Sequence, residues 1–173
     1  GLTNGTNYTF QVMAHNAHGW SVASPASAVA RPFTNPSTVP NISMSATSNG
    51  NGNVTVTWAD ANGNGRDISN YIVVLSDGSE QTVGDVNTVT FNSKTVGTNY
   101  SATVRARNTG GLESVTAGAS SNSATPRPGP VQGLSASATS ECSGRVTFNW
   151  SAPGGQGAAD YTWTVTKSGG NNC

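Results

Sequence analysis

Apolar and polar residues alternate over short runs along much of the chain. Tyr8, Phe10, Val12 and Ala14 share one parity, and Thr9, Gln11, Met13 and His15 share the other. Val54, Val56 and Trp58 form a second such run, and Tyr71, Val73 and Leu75 a third. A period of two puts successive side chains on opposite faces of an extended backbone, so each run predicts a strand with one buried face. Between the runs stand NGNGN (49–53), NGNGRD (62–67), SDGS (76–79) and NTGG (108–111), rich in residues that tolerate positive φ. Short strands separated by turn signals predict an all-β sandwich, and no segment predicts a helix.

The runs also recur. GTNY stands at 5–8 and again at 97–100, and the same offset of 92 aligns Val12 with Val104, Ala14 with Ala106 and Asn16 with Asn108. Val54, Val56 and Trp58 fall on Val146, Phe148 and Trp150 at that offset too. Tyr71 meets Tyr161 at an offset of 90, because the loop between Trp and Tyr is two residues shorter in the later copy. Two separate stretches with one period predict a tandem array.

These recurring residues resemble the fibronectin type III module. Its pattern is matched by Pro40, Trp58, Ile68 and Tyr71, then by Gly97, Thr98, Tyr100, Val104, Ala106 and Asn108. The resemblance implies tandem immunoglobulin-like β-sandwiches, one complete and two partial. Residues 1–33 are expected to hold the E-F corner and strands F and G of a first module, 34–38 a linker, 39–127 a complete module, and 128–173 strands A to C of a third. A piece of two or three strands is marginal alone, so the chain reads as a fragment of a longer array. The resemblance also implies that Tyr8 and Tyr100 form tyrosine corners, and that Trp58, Tyr71, Trp150 and Tyr161 join them in the cores. Lys94 replaces Leu2 six residues before the corner tyrosine, so either Val96 takes that pocket or the second corner is shifted locally, the shift being the favoured expectation.

Composition narrows the function. Charged residues are 9% of the chain, eight basic and eight acidic, with no basic cluster. That argues against nucleic acid and anionic membrane surfaces as partners. No apolar run is long enough to insert in a membrane. Prolines in ARPFTNPSTVP (30–40) and ATPRPGPVQG (124–133) bias both joints toward extended geometry, as a spacer requires.

Candidate chemistry is sparse. His15 and His18 are the only histidines, and no carboxylate stands near them in sequence, so no metal site or cofactor is predicted. Asp60, Asp67, Asp77, Glu80 and Asp85 are expected as solvated turn residues. Trp163 shares the parity of Tyr161 and is expected in the core. Trp20 stands in the F-G loop where Leu112 stands in the second copy, and is the candidate ligand-binding residue, for a sugar or a neighbouring module. The register of the resemblance puts Cys142 and Cys173 in loops at one pole of the third module, a candidate disulfide. The family implies a non-catalytic, extracellular spacer or adhesion array within a larger secreted or surface protein. Its expected partners are a polysaccharide or another surface protein, and adjacent modules of the same chain. The alternative is an accessory segment of a secreted polysaccharide-degrading glycoside hydrolase.

Overall fold

The computed structural model describes residues 1–138, 145–153 and 160–166. All regular structure among them is β: β1 (His15–Asn16), β2 (Gly19–Trp20), β3 (Ser43–Ala46), β4 (Val54–Thr57), β5 (Ile68–Leu75), β6 (Glu80–Val83), β7 (Thr88–Phe91), β8 (Ala102–Asn108), β9 (Gly118–Ala119), β10 (Gln132–Ala138) and β11 (Val146–Ser151). Residues 43–91 and 102–119 supply a three-stranded sheet ordered β3-β4-β7 and a four-stranded sheet ordered β6-β5-β8-β9. β1 pairs with β2, and β10 with β11, as separate antiparallel pairs. The chain divides into two compact units. The first comprises Gly1–Ile42, Thr57–Val89 and Ala102–Ser121, and the second Ser43–Val56, Thr90–Ser101 and the described residues from Asn122 onward.

In the first unit, the predicted alternation sets which face is buried. Tyr71 and Val73 of β5, and Val104 and Ala106 of β8, are fully buried, while Arg105 and Thr103 between them point away. Across the β5–β8 ladder large side chains meet small ones: Tyr71 faces Ala106, Val73 faces Val104 and Leu75 faces Ala102. This pairing fills the layer without overpacking. Trp58 packs on Tyr71 with ring centroids 5.3 Å apart, and the Ala61 N–H donates to the Tyr71 hydroxyl at 3.1 Å. Burial pushes the Tyr71 phenol above its ordinary value.

The second unit contains the tyrosine corner of GTNY. The Thr95 N–H donates to the Tyr100 hydroxyl at 3.0 Å, while Tyr100 and Ala124 exchange backbone hydrogen bonds. The first unit repeats this geometry, with the Thr3 N–H donating to Tyr8 at 2.9 Å and Tyr8 exchanging bonds with Ala30. The second corner is therefore not shifted, contrary to the expectation from Lys94. Lys94 holds its ammonium 5.9 Å from the centre of the Phe91 ring and its N–H on the Gly52 carbonyl, so no charge enters a pocket. Leu2 is itself exposed, so there was no buried leucine to replace.

Trp58, Tyr71 and Tyr100 are buried, whereas Tyr8 is half-buried, and Trp150, Tyr161 and Trp163 are exposed. The last four depart from the expected core placement. Trp150 packs on Tyr161 at 5.6 Å and 56°, close to the Trp58–Tyr71 geometry, but no further sheet covers that face among the described residues. Apart from Pro36, Pro126 and Pro153, every buried apolar side chain that is described lies between Val39 and Ala124.

Replacing Tyr100 by Phe leaves the Thr95 N–H without its acceptor, and we expect a loss of about 1–2 kcal/mol in urea unfolding. Tyr8→Phe, at an exposed corner, should change stability by less than about 0.5 kcal/mol. Tyr71 gives a pH signature. Its raised value means that the unfolded chain ionises first, so its contribution is intact below about pH 10 and is lost as the pH rises further. The alkaline fall in melting temperature should be shallower in Tyr71→Phe.

Candidate functional site

Two features of the first unit carry the functional interest: the hairpin bearing Trp20, and the joint around Asn108. The hairpin is tight. His15 lies directly opposite Trp20, and the two rings pack with centroids 4.4 Å apart, tilted by 40°. The Asn16 side-chain carbonyl accepts the His18 N–H at 2.8 Å and closes the turn. Trp20 remains 69% exposed and borders a shallow cavity of about 280 Å³ with His15, Asn16 and His18. A flat ring braced by a second ring, with polar groups at its edge, is chemically suited to stacking on a sugar or a peptide face.

The corresponding turn after β8 is built differently. There Arg107 bridges Glu113, and the two side chains form an ion pair. The Arg107–Glu113 pair encloses one residue more than His15–Trp20 does. The sequence alignment of Trp20 with Leu112 concealed this difference in turn length.

Beyond the hairpin, serines lock the following segment. Ser21, Ser24 and Ser27 donate their N–H groups to Ala14, Val12 and Phe10, and each hydroxyl accepts the N–H of the same partner. Along β8, Ser114 grips Ala106 and Ser120 grips Ala102 in the same two-point manner.

Asn108 ends β8 on the buried parity and is 1% exposed. Its amide nitrogen donates to the Thr34 carbonyl at 3.0 Å and to the Gly63 carbonyl at 3.2 Å. Its oxygen accepts the N–H groups of Gly110 and Leu112, both at 3.1 Å. One side chain thus ties the segment at Thr34, the NGNGRD loop and the 108–112 turn together, with its full bonding capacity used. Around it, Thr34 donates to Asn64, Asn64 to Asn35, and Ser37 to Asn62. Gly5 donates to the Pro32 carbonyl at 2.9 Å and accepts from Arg31 at 2.8 Å. Gly65, at φ +103, is forced to be glycine: a Cβ there would stand 2.6 Å from the Pro32 oxygen and 2.7 Å from the Gly5 nitrogen. Phe33 lies where a Cβ on Gly110 would fall, and the Arg66 guanidinium covers its ring at 4.8 Å.

The sequence read NGNGRD only as a turn; the structure makes it the cradle of the joint. The available signal was the density of Asn-Gly steps together with Asn108 at the end of a core-parity run. Of the carboxylates expected as solvated turn residues, Asp60, Asp67, Asp77 and Asp85 are exposed outside the strands, and Glu80 is exposed at a strand end. Asp60, Asp67 and Asp85 border one open polar cavity of about 460 Å³ with Arg31 and Arg66, Asp77 caps its own turn, and Glu80 begins β6. Asp60 accepts from Asn87 at 2.8 Å. Among the described residues, no group of three His, Cys, Asp or Glu side chains is disposed to hold a metal. Cys142 and Cys173 lie outside the described residues.

The fibronectin type III domain pattern matches residues 35–121, half of the chain. The chain belongs to the fibronectin type III family. Fibronectin type III domains commonly act as spacers or adhesion modules, are generally non-catalytic and typically occur in extracellular proteins. Among solved structures, the chain is similar to domains d3-d4 of the rat CD45 extracellular region, with 21% identity, TM-score 0.51, and 71% of this chain and 66% of that one covered. It is similar also to the FN1-FN3 domains of chicken CNTN1, at 18% identity and TM-score 0.45, covering 86% of this chain and 53% of that one. An Fn3-like protein from Clostridium thermocellum matches at 21% identity and TM-score 0.41, with 54% of this chain and 95% of that one covered. The chain thus spans 66% or less of the length of the first two. At these identities the likeness concerns the fold. A comparison with curated protein sequences finds no match.

Asn108→Ala would leave two carbonyls and two N–H groups without their buried partner, and we expect a loss of about 2–4 kcal/mol in chemical denaturation. Asn16→Ala, at the matching but exposed position, should stay within about 0.5 kcal/mol.

Proposed function

We propose that the chain is a non-catalytic extracellular spacer or adhesion segment in which the joint between modules performs the work. The observation that carries this reading is the buried Asn108 amide, which fastens linker, loop and turn with four hydrogen bonds. A joint made this way resists bending, because any swing of the linker breaks buried hydrogen bonds. Proline at positions 32 and 36 further restricts the linker backbone. Small-angle X-ray scattering tests the idea. The chain should show a narrow distribution of maximal dimension, and the double change Asn108→Ala with Phe33→Gly should broaden it; equal distributions would remove the spacer reading.

A second reading, an accessory segment of a secreted polysaccharide-degrading enzyme, is favoured by the exposed Trp20 ring braced on His15. Retention on insoluble polysaccharide should then fall severalfold in Trp20→Ala, as for loss of a stacking contact worth about 1 kcal/mol or more. Equal retention would remove sugar contact through this residue.

A further inference from the structure

Asn-Gly steps stand at Asn4, Asn49, Asn51, Asn62 and Asn64, alike in their reacting pair. The fold makes them unequal. In such a step the glycine nitrogen can attack the side-chain amide carbon of the asparagine, because no side chain on the glycine shields it. The attack needs a free glycine N–H and an asparagine side chain free to swing onto it. At Asn4 and Asn49 the first condition fails: the Gly5 N–H donates to the Pro32 carbonyl at 2.9 Å, and the Gly50 N–H to the Arg127 carbonyl at 3.1 Å. The Asn49 side-chain oxygen is also pinned, by the Asn51 N–H at 3.1 Å. At Asn62 and Asn64 the second condition fails. The Asn62 side-chain oxygen accepts the Asn64 N–H, and the Asn64 amide donates to the Asn35 carbonyl, both at 2.8 Å. Asn51 meets both conditions. It is exposed, and neither its side-chain amide nor the Gly52 N–H has a hydrogen-bond partner among the described residues.

The glycine of this step is required by the fold. Gly52 sits at φ +64, and a Cβ there would stand 2.0 Å from the Lys94 carbonyl oxygen and 2.7 Å from the Lys94 nitrogen. The Lys94 N–H closes the approach by donating to the Gly52 carbonyl at 2.8 Å. The turn between β3 and β4 thus demands the residue that leaves Asn51 open to attack. We propose that Asn51 is a site of spontaneous deamidation, selected from the other Asn-Gly steps by the hydrogen bonding around it. The Gly52 nitrogen bonds to the Asn51 side-chain carbonyl carbon, the amide nitrogen leaves as ammonia with the Gly52 proton, and a cyclic imide remains. Water then opens the imide at one of its two carbonyls, giving aspartate or isoaspartate. Either product adds one negative charge to a chain whose formal charges balance. Isoaspartate also adds one carbon to the main chain of a turn that bonds Thr47 to Asn53 and, through Gly50 and Thr47, holds the backbone of Arg127. The reaction therefore loosens the grip on the Arg127 segment as the protein ages.

Incubation of the folded chain in mildly alkaline buffer, followed by peptide mapping with electron-transfer fragmentation, tests the proposal. Aspartate and isoaspartate should accumulate at Asn51 severalfold faster than at Asn4, Asn49, Asn62 or Asn64, because reaction at those four waits on local opening. In concentrated urea, where the hydrogen bonds are gone, all these rates should converge. Asn51→Gln, whose longer side chain would have to close a larger ring, should remove the first acidic band in isoelectric focusing and leave the urea midpoint unchanged. In the isoaspartyl fraction, hydrogen exchange of the Gly50 and Arg127 amides should quicken severalfold. A rate at Asn51 no greater than at Asn49, the same ranking in urea as in buffer, or a first acidic band that survives Asn51→Gln would each overturn the site. Unaltered exchange in the isoaspartyl fraction would overturn its effect on the Arg127 segment.

Discussion

A buried amide with every hydrogen-bonding position filled is the constraint on which the Asn108 end of β8 depends. Asn108 stands where the alternation of β8 calls for an apolar side chain, and its burial is tolerable only because four backbone groups complete it. Those groups come from three segments far apart in sequence. The amide therefore converts the geometry of a strand end into the position of the backbone at Thr34. The glycines at 63, 65 and 110 serve the same end by letting backbones and the Phe33 ring approach closely. Polar satisfaction, not apolar area, organises this joint, in keeping with a chain that has few charges and many Asn, Gly and Ser residues.

Much of the fold was legible because the period-two pattern and the repeat are strong local signals. Val54, Val56, Trp58, Tyr71, Val73 and Leu75 are buried as their parity requires, and the two GTNY corners bond alike. The exposure of Phe10, Val12, Trp150 and Tyr161 was not legible, since parity says which side chains share a face but not whether anything covers it. The role of Lys94 was misread for a related reason. A long side chain can leave a pocket and rest on an aromatic ring while its backbone keeps the position.

The candidate site was partly legible. Trp20 stood out by type and loop position, yet its packing on His15 depends on a turn one residue tighter than that of the second copy, which alignment by offset hides. Asn108 was recognised as part of a family pattern, but its partners Thr34 and Gly63 are 74 and 45 residues away. Contacts of that separation leave no periodic trace in one sequence.

The paired grip of serine on strand has a consequence for variation of the chain. Ser21 and Ser114 hold Ala14 and Ala106 in the same way although the turns between them differ by one residue. The clamp fixes register after the turn, independently of how many residues the turn contains. Insertions and deletions at this tip are thus absorbed before they reach the sheet. The tip is the part of the module where length and chemistry are free to diverge between copies, and where a foreign peptide would be grafted at least cost to the scaffold.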